Sequence, residues 1–104
     1  MIQANDDNFD RVVLASPRTV IVDFGATWCP PCKAQKPILA SFAEKNPGVE
    51  VVYVDVDESP RVASRLGVQG VPTLMVFVGG QRKTVGRGLQ SPGRIAAMIA
   101  DAGG

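Results

Sequence analysis

"TVIVDFGATWCPPC", residues 19–32, joins a β-branched run to the only two cysteines of the chain. Thr19–Phe24 is a short apolar stretch broken by one acid, and it reads as a buried strand. Cys29 and Cys32 follow just past its carboxyl end, where helix signals begin. In open α/β sheets that is the place where functional groups gather. Positions three apart share one face of a helix, so the two sulfurs can meet in a small disulfide ring. Unpaired amides and a partial positive charge at the helix N-terminus favour a thiolate at Cys29. The neighbouring thiol can then release whatever that nucleophile captures. Two blander readings compete. A purely structural bridge over so short a loop would remove little unfolded-state entropy, and disulfides rarely persist in the cytosol; the other reading is an unremarkable pair of core cysteines. A CxxC beside a strand–helix–strand pattern favours redox chemistry.

Outward from this stretch the pattern alternates. Toward the N-terminus, Phe9, Val12, Val13 and Leu14 have helical spacing, with Asn5 and Asp6 as candidate caps and Ser16-Pro17 as the stop. Ile2-Gln3 could add a short first strand. After the cysteines, Ile38, Leu39, Phe42 and Ala43 form an apolar helix face opposite Lys36, Glu44 and Lys45, ended by Asn46-Pro47-Gly48. Val49–Val56 is a second clear strand. A short helix follows, with Ser59 as N-cap, Pro60 in its first turn and Gly67 as stop. Pro72–Val78, Gly79-Gly80 and the segment through Gly88 read as an antiparallel hairpin. A last helix starts near Ser91-Pro92 and runs through Ile95, Met98 and Ile99. Strand–helix–strand with a long crossover requires parallel pairing and a right-handed connection. The expected fold is therefore α/β: a mixed sheet with helices on both faces.

The 104 residues suffice for one domain, residues 1–104, with a real core. An apolar fraction of 45% and a charged fraction of 20% are those of an ordinary globular protein. Net charge is +1 and the basic residues are scattered, which argues against nucleic acid as a partner. The first ten residues are polar and acidic, unlike a secretory leader, and no apolar run approaches a membrane span. A cytoplasmic protein is expected. Histidine is absent, so Ser-His-Asp and Cys-His catalysis lack their usual base. Two cysteines cannot close a four-ligand zinc site within one chain.

"VDFGATWCPPCKAQKPIL", "GVQGVPTL" and "GLQSPGRIAAMI" together resemble the thioredoxin family over essentially the whole chain. The resemblance implies a five-stranded mixed sheet with four helices. It implies a dithiol reductant without a bound cofactor, acting as a monomer on disulfides in other proteins and recharged by a flavoprotein thioredoxin reductase. By position, Cys29 would be the attacking thiolate, Cys32 the resolving thiol and Asp23 the buried acid that exchanges a proton with Cys32. Burial would raise its pKa, which suits that exchange; an acid at a wet strand end is the other reading. Pro72 matches a cis-proline facing the disulfide, although an arbitrary proline opening a strand would be trans. Trp28, Pro30, Pro31, Val71, Pro72 and Gly88 would hold the substrate's extended segment, with a core position as the alternative for Trp28.

Departures from the family pattern are local. Gly25 stands where a tryptophan is usual, and Tyr53 where a lysine often partners the acid, so Asp23 is expected to lack a cation. Pro30-Pro31 replaces the common Gly-Pro; both fit a first helical turn, and they leave the Cys32 N–H as the donor to Cys29. Pro37 matches the family's helix kink. An oxidase or isomerase of the same fold often carries histidine between its cysteines, and this chain has none. A non-catalytic docking module would not need both cysteines.

Overall fold

A computed structural model describes residues 1–103. Five strands form one sheet in the order β1-β3-β2-β4-β5: β1 (Ile2–Ala4), β2 (Thr19–Gly25), β3 (Val49–Asp55), β4 (Thr73–Val78) and β5 (Gln81–Arg87). β1 and β2 run parallel to β3, whereas β4 is antiparallel to both β2 and β5. The mixed sheet expected from the sequence is thus present, and β2 lies at its centre. Gly79 and Gly80 turn the closing hairpin at positive φ, and a Cβ at Gly80 would fall 2.5 Å from the Leu14 carbonyl oxygen. Only glycine fits there.

Alternation along β2 divides the core. Val20, Val22 and Phe24 face one side, packed with Phe9, Val13 and Val62. Ile21 faces the other, against Leu39 and Phe42 of α1 (Pro30–Lys45) and Ile95 and Ile99 of α3 (Pro92–Asp101). With a side-chain period of two, Asp23 and Gly25 share the α1 face with Ile21. No helix among the described residues is long and apolar enough to cross a membrane.

The helices differ from expectation in two places. The first is a π-helical turn, Asp10–Leu14, in which the Ala15 amide donates to the Asp10 carbonyl at 2.9 Å. Neither expected cap serves it: the N-cap is Phe9, which makes no side-chain bond, while Asn5 Oδ1 accepts from the amides of Asp7 and Asn8 in the preceding turn. The second is α2 (Pro60–Arg65). Ser59 is in the N-cap position, yet its buried Oγ has no hydrogen-bond partner among the described residues. Asp6 caps the helix instead: its carboxylate accepts from the Val62 amide at 2.8 Å and the Arg61 amide at 3.2 Å. A negative charge there also complements the helix dipole, and Arg65 pairs with Asp10 at 2.6 Å one turn further on. Asp6→Ala is expected to cost about 1 kcal/mol, the usual value of a lost N-cap. Guanidinium unfolding would read the loss, and hydrogen exchange should localise it to the Arg61 and Val62 amides.

Candidate functional site

The site forms where β2 ends and α1 begins. Cys29 is the N-cap of α1 with extended backbone, and Pro30 and Pro31 fill the first two helical positions. Their missing N–H groups would have no intrahelical partner there, so the double proline stiffens the turn without breaking a bond. The first free amide that points back is that of Cys32, and it donates to Cys29 Sγ at 3.3 Å. Cys29 and Cys32 are joined as a disulfide with Cα atoms 5.2 Å apart. Both are buried, packed with Ala26 against Val56 and Val71.

The second wall comes from the turn before β4. The Val71–Pro72 peptide is cis, and the Val71 carbonyl oxygen lies 3.7 Å from Cys29 Sγ. Thr73 Oγ1 donates to the Gly70 carbonyl at 2.7 Å and tightens this turn. The Gly88 amide donates to the Pro72 carbonyl at 2.9 Å, which ties the end of β5 to it. Val71, Pro72, Arg87 and Gly88 line a cleft of about 180 Å³. Pro72 is buried, Val71 half-buried, and Pro30, Pro31 and Gly88 exposed.

Trp28 is 66% exposed, which removes the core alternative. Its Nε1 donates to Asp57 Oδ2 at 2.8 Å, holding the indole at the surface beside the disulfide. The six residues expected to contact substrate therefore flank the disulfide from two sides.

Asp23 is fully buried. Both carboxyl oxygens lack a hydrogen-bond partner among the described residues. Burial pushes its pKa up to about 7, and the nearby Lys36 ammonium pulls in the opposite direction. The cation missing from position 53 is thus supplied by α1, which corrects the expectation that Asp23 has none. Periodicity puts Lys36 on the outer helix face, but it is half-buried, with Nζ 3.9 Å from the centre of the Tyr53 ring. Spacing could have revealed it, since Lys36 lies four residues after Cys32 and so on the same helix face. Burial also raises the Tyr53 phenol to about 12, reinforced by the carboxylates of Asp55, Asp23, Glu58 and Asp57.

Gln35 is a further residue that sequence reasoning missed. It is fully buried in α1; its Nε2 donates to the Gln90 carbonyl at 3.0 Å and its Oε1 accepts from the Gln90 amide at 2.8 Å. Gln90 Nε2 in turn donates to the carbonyls of Arg87 and Gly88, both at 3.1 Å. These bonds tie the disulfide-bearing helix to the far wall of the cleft.

Comparison with known proteins is consistent with this arrangement. The Thioredoxin family model matches residues 1–101. Thioredoxin 1 of Nostoc sp. is 44% identical over 81 residues, covering 77% of this chain and 76% of that protein. Thioredoxin of Rickettsia felis is 40% identical over 95 residues, 90% of each chain. The chloroplastic M-type thioredoxin of Chlamydomonas reinhardtii is 46% identical over 79 residues, 75% of this chain and 56% of that one.

Proposed function

This chain belongs to the thioredoxin family, and from that membership we propose how its disulfide works. The protein is a thiol–disulfide oxidoreductase that reduces disulfides in other proteins. In the proposed cycle the reduced Cys29 thiolate attacks one sulfur of a target disulfide. A mixed disulfide forms and the first target thiolate leaves. Cys32 then gives its proton to the Asp23 carboxylate, and its thiolate attacks Cys29 Sγ. The second target thiolate departs, the target has gained two electrons, and the Cys29–Cys32 disulfide remains.

The observation that carries this reading is the bond from the Cys32 amide to Cys29 Sγ at the start of α1. One donor and the helix N-terminus both stabilise negative charge on that sulfur, which marks Cys29 as the nucleophile. The role of Asp23 rests on position and burial. It lies two residues before Gly25 on the same strand face, about 7 Å along the strand. A Cβ at Gly25 would lie 3.4 Å from Cys32 Cβ, so Cys32 overlies that face. An acid with a pKa of about 7 is partly ionised at neutral pH and can both take and return a proton.

Trp28, Pro30, Pro31, Val71, Pro72 and Gly88 form the proposed docking surface for an extended substrate segment. A monomer suffices, because one chain supplies every group. The proposed place of action is the cytosol: both cysteines serve the redox pair, leaving none for the structural bridges common in oxidising compartments. A flavoprotein thioredoxin reductase is the proposed electron donor.

Catalysis of insulin reduction by dithiothreitol tests the cycle, together with the potential of the Cys29–Cys32 couple against glutathione. Rapid insulin reduction and a strongly reducing couple are expected. A strongly oxidising couple would reassign the protein to disulfide formation.

A further inference from the structure

Two residues outside the reaction scheme, Tyr53 and Lys36, pack over the strand face that carries Asp23. Tyr53 is the register partner of Asp23 on β3 and lies on the α1 face of the sheet. A Cβ at Gly25 would fall 2.9 Å from Tyr53 Cε1, 3.1 Å from the phenol oxygen and 3.4 Å from Cys32 Cβ. The ring therefore leans from β3 across β2 into space that exists because position 25 carries no side chain. Its hydroxyl and Cys32 flank the same point. Lys36, one turn beyond Cys32, sets its ammonium over the face of this ring, 3.9 Å from the centroid. Aromatic faces attract cations, whereas an unseated lysine on a half-buried helix would extend its head to water.

We propose that Tyr53 is a positioning residue: its ring, admitted by Gly25, seats the Lys36 ammonium within electrostatic reach of Asp23, and this stack governs the proton exchange that lets Cys32 release the target. The inference deepens the relay role given to Asp23 and rests on it. The titratable and charged groups around the acid are few. α1 contributes Lys36 and the two cysteines, β3 contributes Tyr53 and Asp55, and the segment after β3 contributes Asp57 and Glu58, which act on Tyr53. From β4 the register partner is the apolar Leu74. Lys36 is thus the cation that opposes the effect of burial on Asp23.

Carbon-13 NMR titration of the Asp23 carboxyl in the reduced, full-length protein reads the acid without turnover. Lys36→Met should move its midpoint up by about one pH unit, and Lys36→Arg should restore it. Replacing the ring also changes burial, so the decisive measurement is a double-mutant cycle. In a Tyr53→Leu background, Lys36→Met should shift the midpoint by less than half as much. In a Tyr53→Phe background, which keeps the π face, the full shift should remain. An equal shift in all three backgrounds would show that the ring seats nothing, and no shift with Lys36→Met would remove the ammonium from the site. The pH midpoint of mixed-disulfide resolution should follow the carboxyl midpoint across the series. A carboxyl that moves while resolution does not would leave the stack as an electrostatic unit and retire the relay role of Asp23.

Discussion

Asp23→Asn should make the oxidised protein markedly more stable in alkaline solution while slowing its reaction cycle. The folded-state pKa of about 7 stands above the ordinary value of 3.8. The native state therefore holds this proton more tightly than the unfolded chain does. The stability linked to that proton is fully present below pH 3.8 and is lost as pH rises through about 7. A displacement of this size corresponds to roughly 4 kcal/mol between the two limits. Asparagine cannot ionise, so its unfolding midpoint should stay nearly flat over the same range. Guanidinium unfolding of both proteins from pH 4 to pH 9 would test this: the curves should lie close together at the acid end and diverge above neutrality. Parallel curves would mean that the carboxylate is not held in an apolar site. Stopped-flow kinetics should show a slower second step, because the amide cannot accept the Cys32 proton, with the first attack by Cys29 little changed.

The Cys32→Ser variant should accumulate as mixed disulfides with its targets. Cys29 keeps its place at the helix N-terminus and can still attack, but no thiol remains within reach to expel the second target sulfur. Lifetimes should lengthen from fractions of a second to hours, the timescale of uncatalysed exchange. Cys29→Ser leaves only Cys32, which is 1% exposed, and should capture almost nothing. Non-reducing electrophoresis and mass spectrometry of material recovered with each variant would compare them. Equal capture by both would overturn the assignment of nucleophile and resolving thiol.

Much of this was legible in the sequence because the signals are local. Thr19–Phe24 announces a buried strand through its β-branched residues, and the observed β2 extends it by one residue, Gly25. The cysteines declare themselves by spacing, and Ser91 caps α3 as anticipated, accepting from the Arg94 amide at 3.3 Å. What escaped depends on partners distant in the chain. Ser59 is the best local cap for α2, but Asp6 reaches that helix end from a segment more than fifty residues earlier and takes the amides. Gly25 and Tyr53 look like unrelated departures until the register sets Tyr53 beside Asp23. Lys36 looks like a solvated charge until the ring beneath it is placed. Periodicity assigns a side chain to a face; it does not reveal which neighbour fills the space left by a glycine.

The paired bonds between Gln35 and Gln90 bear on how the molecule is made. Cys29 and Cys32 leave the ribosome early, whereas the Val71 carbonyl and Gln90 follow some forty and sixty residues later. Until Gln90 arrives, the Gln35 amide has neither of its two backbone partners, and burying it unpaired would cost on the order of 1–3 kcal/mol per missing bond. α1 therefore gains its full reason to settle on the sheet only when the last strand and its following turn are present. An unfinished chain carries both thiols without the wall that confines them, and a truncated one remains penalised in the same way. Closing contacts so distant along the chain is slow compared with forming a helix, so docking of α1 is expected to be a late event, completed after synthesis rather than during it.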